Sequence, residues 1–531
     1  MAMRFVTRLL KVVFVVSTLT FIMLQVQVRT YTNDNEISAH GTAAQHSAPG
    51  ANGRHDNYNN EETNNNNKGS VEQPLMAPDE AAMLNGEQLP SRQGPFADRI
   101  NRSQAPLPDQ NHESSRNSNR MDADDALKRT DVKAGAGGGG GGPTLDDIRK
   151  SIEYNNAHSE IRNLERFGPI TNDTVVIVIQ VHDRPNYLEK LVQSLKDADK
   201  INEAMLVFSH DFFSLANNDI VQAIDFTMVL QIFYPHSIQI FPDRFPGQHP
   251  NDCPPDIGKD KAKQTRCNNW EHPDKYGHYR LARYTQIKHH WWWKMNYVFH
   301  GIPQLVDFNG WVILLEEDHY VSPDFVHVLK YMVNHKKDLC AECGVMSLGV
   351  YLKSYVNYGI NINKLAVHPW FSSRHNMGLA LNRPLWTKVH ECAKLFCTYD
   401  DYNWDWSLMR VNLQCFKPRL SVLFTKSPRV FHIGDCGVHH KCRADTSAAK
   451  VKPVLDGVKS QLFPATMSVT ERSRRMLKPP KENGGWGDVR DHELCLHNTL
   501  QADGTPLQPL PTARTATAAS NNSVNVNDLR R

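Results

Sequence analysis

Charge imbalance is missing from this chain. Its 531 residues carry 60 Lys and Arg against 57 Asp and Glu, a formal net charge of +3. That balance supplies no basic footprint for nucleic acid and no pull on an acidic partner. No internal repeat is visible, which excludes a solenoid or a propeller. Cysteine is absent before Cys253 and after Cys495, so disulfides are confined to residues 253–495. Apolar residues are scarce from about residue 30 to residue 142, where Asn, Ser, Gly, Asp and Gln dominate, with four asparagines at 64–67 and a glycine tract at 137–142. Such a stretch cannot offset its own ordering entropy and reads as a flexible stem. A second low-complexity stretch, 499–531, reads as a disordered tail.

What is present begins with an apolar run at 12–28, preceded by Arg4, Arg8 and Lys11. It has the length of a short membrane span, as expected of an anchor in thin early-secretory membranes. A cleaved signal peptide is the alternative, but no clean small-x-small cleavage site follows. With the basic residues on the N-terminal side, the positive-inside rule leaves the rest of the chain luminal. The expected organisation is a cytoplasmic tail at 1–11, an anchor at 12–28, a stem at 29–144, a globular domain at 145–498 and a tail at 499–531. Ten cysteines, an even set, fall within that luminal domain, where disulfides persist. Cys340-Ala-Glu-Cys343 has the spacing of a redox or zinc knuckle, but no matching pair follows. Cys436 and Cys442, with His439 and His440 between them, form a disulfide loop or, less readily, hold zinc. Asn101, Asn172 and Asn521 begin glycosylation sequons.

The most informative stretch is Gly310-Trp-Val-Ile-Leu-Leu315, which ends in Glu316-Glu317-Asp318. An unbroken apolar run with β-branched members predicts a strand buried on both faces, and the carboxyl ends of such strands are where α/β sheets bind ligands. Carboxylates there suit Mg²⁺ or Mn²⁺, which can hold nucleotide phosphates as well. A solvated acidic turn is the bland alternative. Residues 175–181 predict another buried strand, followed by Pro185 and the helical stripe Leu188, Leu191, Val192 and Leu195. Further strands are expected at 204–209, 237–241 and 345–350, and a long helix at 279–299. The alternation predicts an α/β fold, a mostly parallel sheet with helices on both faces.

Candidate site residues gather at the predicted strand ends. Arg184 suits a phosphate or uracil, and Asp211 a ribose or base. On the long helix, Lys288 or a neighbouring histidine is within reach of a diphosphate, beside tryptophans that also read as core. Asp405 lies between Trp404 and Trp406. Indole faces stack on sugar rings, and an aspartate between them can accept a hydroxyl proton; a helix cap explains the same aspartate. His432, before a glycine turn, is a simple hydrogen-bonded histidine or the second protein ligand of an ion at Asp318.

Leu315-Glu-Glu-Asp-His-Tyr320, Ser322-Pro-Asp-Phe325, Asn403-Trp-Asp-Trp406 and Phe431-His-Ile-Gly434 closely resemble the N-acetylglucosaminyltransferase II family, over essentially 170–496. The resemblance implies a GT-A fold, a Golgi location, UDP-GlcNAc as donor, Mn²⁺ as metal, and an N-glycan acceptor whose α1,6-arm mannose is terminal while its α1,3 arm already carries GlcNAc. It implies Asp318 and His432 as metal ligands and Asp405 as catalytic base. Donor-binding positions would be Gln180, Val181, His182, Asp183, Arg184, Asp211, Gln286, Ile287, Lys288, His289 and His290, with Trp404 and Trp406 toward the acceptor. It also implies the disulfides Cys253–Cys267, Cys340–Cys343, Cys392–Cys415, Cys397–Cys495 and Cys436–Cys442. Glu316 stands where the commoner Asp-x-Asp motif has its first Asp. The mechanism expected is an inverting displacement without a covalent glycosyl-enzyme. Two rivals are a luminal lectin using the Trp404 and Trp406 platform, and a zinc hydrolase built on His439, His440 and nearby cysteines.

Overall fold

The computed structural model describes residues 142–434, 444–479 and 481–510. The segment 12–28, the His439 and His440 pair, the Cys436–Cys442 pairing and the sequons at Asn101 and Asn521 lie outside them. Among the described residues no helix is long and apolar enough to cross a membrane. The fold is mixed α/β. Eleven strands run β1 (Val175–Val181), β2 (Ala204–His210), β3 (Met228–Phe233), β4 (Trp311–Glu316), β5 (His319–Val321), β6 (Val345–Ser347), β7 (Lys364–Pro369), β8 (Leu379–Asn382), β9 (Ser421–Thr425), β10 (Val430–His432) and β11 (Ser468–Arg472). Nine of them form one sheet in the order β11-β7-β9-β6-β8-β4-β1-β2-β3, while β5 and β10 pair apart as a ribbon. β4, β1, β2 and β3 are parallel neighbours; the antiparallel pairings are β4 with β8, β8 with β6 and β9 with β7.

Side chains alternate across a strand, and the central strands are apolar on both faces because each face meets its own layer. Val176 and Val178 of β1, with Val312 and Leu314 of β4, pack in the cluster that contains Trp291, Trp292 and Trp293. Val175, Ile177 and Ile179, with Ile313 and Leu315, pack on the opposite side against Leu188, Leu191 and Leu195 of helix α1 (Pro185–Lys196) and Phe325 and Leu329 of helix α3 (Phe325–Asn334). The tryptophans ride on helix α2 (Ala282–Asn296), which continues into a π-helical turn at Tyr297–Gly301.

The expected strand at 237–241 is not formed. Residues 237–241 make a turn in which the Ile240 and Phe241 N–H groups donate back to the Ser237 carbonyl, while the Ile238 N–H donates to Gln286 Oε1 at 2.6 Å. The strand beside β2 is instead Met228–Phe233, buried except at Gln231; its apolar run was the legible signal. The strand expected at 345–350 is regular only to Ser347, although the Leu348 and Gly349 N–H groups still bond to Gly378 and Met377.

Among the described residues four disulfides are formed, Cys253–Cys267, Cys340–Cys343, Cys392–Cys415 and Cys397–Cys495. The last secures helix α5 (Val489–His497) to the body. That helix also carries Asp491, wholly buried and bonded to Arg280 Nε at 2.8 Å and His289 Nε2 at 3.0 Å. Arg280 adds the Gly247 and Pro246 carbonyls and Thr285 Oγ1. Removing one partner of a buried pair leaves an uncompensated charge. Arg280→Met is therefore expected to lower unfolding stability by about 3–5 kcal/mol, measured by urea denaturation; a loss under about 1 kcal/mol would show the pair to be dispensable.

Candidate active site

The sheet delivers its acids beside the loop after β1. Gln180 is in register with Glu316, and the Glu317 N–H donates to the Gln180 carbonyl at 2.9 Å. Glu317 is wholly buried, and both its oxygens are engaged. Oε1 accepts from Arg184 Nε at 2.5 Å and Oε2 from the His182 backbone N–H at 2.9 Å. Burial pushes its carboxyl up, opposed by Arg184 and His182. Glu317 therefore fastens the β1 loop to the acidic turn and has no free oxygen for an ion.

Asp318 has a different surrounding. The β5–β10 ribbon pairs His319 with His432, and the Ile433 N–H donates to the Asp318 carbonyl at 2.8 Å. Gly434 is forced by this approach, since a Cβ there would lie 2.3 Å from Asp318 Oδ2. That same Oδ2 accepts from Arg184 Nη1 at 2.8 Å and has His432 Nε2 at 3.4 Å. Oδ1 is buried with no partner, a costly arrangement for a carboxylate unless something else binds it. Burial raises the Asp318 carboxyl, but His432 and Arg184 outweigh it and hold the group well below its ordinary value. Burial and the charge on Asp318 push Glu316 up. Ligand atoms of Glu316, Asp318 and His319 lie within 4.8 Å of one another, although His319 Nδ1 also accepts the Glu316 N–H at 3.1 Å. Hard carboxylate oxygens with imidazole nitrogens fit a divalent metal ion.

A second wall forms around Asp211, at the end of β2. Its Oδ1 lies 2.6 Å from His182 Nδ1, and its Oδ2 accepts from Gln286 Nε2 at 3.1 Å with His290 Nδ1 at 3.6 Å. The Asn217 side chain donates to the His182 carbonyl at 2.9 Å. Lys294 Nζ donates to Gln180 Oε1 at 2.6 Å, and burial lowers this ammonium to about 7. Gln286, His290 and Lys294 share one face at i, i+4 and i+8. Lys294 was missed by sequence reasoning, though its helical spacing could have found it.

The other donor-side residues of α2 are placed elsewhere. Lys288, wholly buried, donates to the Tyr399 carbonyl at 2.9 Å and the Asp401 carbonyl at 3.1 Å, with its ammonium 4.1 Å above the Trp486 ring. His289 turns to Asp491, Ile287 packs on the tryptophan core, and Val181 is core on the far side of the sheet. Lys288, two positions from Gln286, points to another helix face, whereas His289 is drawn aside by its bond to Asp491. Asp183 is half-buried between His182 and Arg184.

Asp405 lies in the first turn of helix α4 (Trp404–Gln414), whose N-cap is Asn403. Its Oδ2 accepts from Ser372 Oγ at 2.8 Å and its Oδ1 from the Trp406 N–H at 2.9 Å, while burial pushes its carboxyl up. Trp404 is not a sugar platform. It is 7% exposed and stacked on Trp291 with ring centres 4.5 Å apart and planes 3° from parallel. Two positions along a helix face opposite ways, so Trp406, which is half-buried, is left as the indole nearer the surface. The platform on which a lectin would rely is not formed. Tyr351, which sequence reasoning also missed, stands beside His432. It is 47% exposed, its ring centre lies 6.0 Å from that of His432, and burial together with Glu316, Asp318 and Asp405 pushes its hydroxyl up to about 12.

An acid-tipped α/β sheet with an arginine-anchored loop on one side and a half-buried carboxylate on the other is an arrangement suited to group transfer. The chain belongs to the N-acetylglucosaminyltransferase II family, whose model matches residues 149–495. It is 46% identical over 360 residues to the rat alpha-1,6-mannosyl-glycoprotein 2-beta-N-acetylglucosaminyltransferase, covering 66% of this chain and 81% of that protein. The human protein of the same name is 45% identical with 66% and 80% covered, and the one from Arabidopsis thaliana 31% identical with 64% and 78% covered. Among solved structures, S. aureus TarS 1-349 matches 62% of this chain and 80% of its own at 10% identity and a TM-score of 0.26, too slight a likeness to argue from.

Asp211 holds the His182 imidazole protonated up to about pH 9, against the opposing effect of burial. The raised value means that the contribution of the His182 charge to stability, complete below pH 6.5 while Asp211 is ionised, is lost as pH rises through about 9. Imidazole NMR titration should give His182 an apparent pKa well above 6.5, and Asp211→Asn should return it toward that value. An unshifted His182 in the native protein would refute the pairing.

Proposed function

We propose that the chain transfers GlcNAc from UDP-GlcNAc to the 2-hydroxyl of the terminal mannose on the α1,6 arm of an N-glycan, forming a β1,2 linkage on a GT-A scaffold. The rat and human relatives are named alpha-1,6-mannosyl-glycoprotein 2-beta-N-acetylglucosaminyltransferase. The observation that supports the reading is the buried Asp318 carboxylate, whose Oδ1 has no partner while its Oδ2 meets Arg184 and His432 at the end of the central strand. On this reading Asp318 and His432 hold Mn²⁺, with Glu316 beside them. Bound there, the ion supplies charge neutralisation for the departing UDP.

The chain's own residues do the rest. Arg184, fixed by Glu317, presents a permanent cation to the diphosphate, while Asp211 and His182 offer an acceptor and a donor to the base or ribose. Asp405 takes the proton of the mannose 2-hydroxyl as that oxygen attacks the anomeric carbon from the face opposite UDP. Burial makes it a stronger base than an exposed aspartate. An α-linked donor becomes a β-linked product in one displacement. The same reading makes the chain a type II Golgi membrane protein, anchored by residues 12–28 with Arg4, Arg8 and Lys11 on the cytoplasmic side and the catalytic domain luminal.

Purified protein given UDP-GlcNAc, Mn²⁺ and a trimannosyl core glycan bearing one GlcNAc on the α1,3 arm should yield a β1,2-linked product by linkage analysis. Absence of that product would overturn the assignment. Asp405→Asn should lower turnover at least ~100-fold, the scale of a general base, with UDP affinity by calorimetry nearly unchanged. Asp318→Ala should instead weaken Mn²⁺-dependent UDP binding; unaltered Mn²⁺ dependence would remove Asp318 from the metal site.

A further inference from the structure

We infer that Ser372 is the positioning residue of the catalytic carboxylate: its buried hydroxyl fixes Asp405 in the orientation that receives the acceptor proton. This rests on the reading of Asp405 as base. Ser372 is 2% exposed, and its Oγ lies 2.8 Å from Asp405 Oδ2. The other oxygen, Oδ1, is held by the Trp406 N–H at 2.9 Å. One bond comes from the helix that carries the aspartate, and the other from a segment more than thirty residues away in sequence. Together they stop rotation of the carboxylate about its Cβ–Cγ bond, which the helix bond alone would restrain at one oxygen only.

The serine is itself well held. It opens the short helical turn Ser372–His375, which follows β7 and packs beside α4. That turn is closed by the Phe371 N–H, which donates to His375 Nδ1 at 3.0 Å. His375 is 1% exposed, and burial keeps its imidazole neutral by lowering it to about 3. A neutral, fully buried imidazole accepting a backbone bond is a rigid support across the pH range in which the enzyme would work. The hydroxyl also has an electrostatic effect. Burial drives Asp405 toward its neutral form, and the Ser372 bond opposes it. The other titratable groups around this carboxylate are Asp401 and Tyr402 on the preceding segment and Tyr351 across the cleft, with Arg374 and His375 on the serine's own turn. Ser372 donates directly to Asp405.

The test is the pH dependence of kcat and kcat/KM for Ser372→Ala, Ser372→Thr and Asp405→Asn, with thermal unfolding measured for each. Ser372→Ala should lower kcat roughly 10-fold or more, the scale of one hydrogen bond to a charged group, leave the KM for UDP-GlcNAc unchanged, and move the acidic limb of the profile to higher pH. Ser372→Thr, which keeps the hydroxyl, should restore most of kcat and return the limb. If Ser372→Ala is poorly folded, Ser372→Cys, of similar size and a weaker donor, should show the same limb shift. Wild-type kcat and an unmoved limb in Ser372→Ala, with Asp405→Asn inactive, would overturn the positioning role while sparing the base. A loss of kcat with an unmoved limb and no rescue by threonine would overturn it equally. An active Asp405→Asn would instead remove the base assignment on which the inference stands.

Discussion

The buried carboxylate of Glu317 is the constraint on which the site depends. It joins two loops that the sheet brings side by side but does not itself connect, the one after β1 and the one after β4. A charge with no exposed surface is tolerated only when its oxygens are filled by strong donors. Arg184 and the His182 N–H fill them, and the fixed guanidinium then reaches Asp318 at 2.8 Å. The β5–β10 ribbon brings His432 to the same aspartate, and His182 passes the alignment on to Asp211.

Helix α2 divides its labour by face. Its Gln286, His290 and Lys294 stripe turns to the cleft, where it bonds Asp211 and Gln180. Lys288 and His289 turn away and hold structural partners, the carbonyls of Tyr399 and Asp401 and the carboxylate of Asp491. Asp401 in turn accepts the Asn403 N–H at 2.8 Å, at the cap of the helix that bears Asp405. One element thereby braces both the donor wall and the base, while its tryptophans pack the core between them. Burying so many polar groups in one helix requires each to find a partner, and that requirement fixes their directions more tightly than any propensity would.

Much of this was legible because it follows from local periodicity. The unbroken apolar runs of β1, β2 and β4 announced strands covered on both faces, and the acids after β4 announced the ligand-binding edge. Where the reading failed, the local signal was ambiguous. Residues 237–241 are apolar enough for a strand, but their amides are satisfied by a turn and by Gln286, a partner nearly fifty residues on. Trp404 and Trp406 looked equivalent in the sequence, yet helical geometry sends one into Trp291 and leaves the other half-exposed. Ser372 and Tyr351 carried no signal, because a serine or tyrosine in a loop has no periodicity to betray its direction.

By itself the sequence determined the sheet's central strands, the position of the acidic turn and the family to which its motifs belong, since each of these is written in residues close together along the chain. Tertiary structure alone decided which charges meet: that Glu317 is spent on Arg184 while Asp318 keeps a bare oxygen, that Lys288 faces away, and that Ser372 reaches Asp405. The reason is physical. A strand or helix is stabilised by neighbours a few residues distant, whereas a buried charge is stabilised only by whatever group the completed fold sets against it.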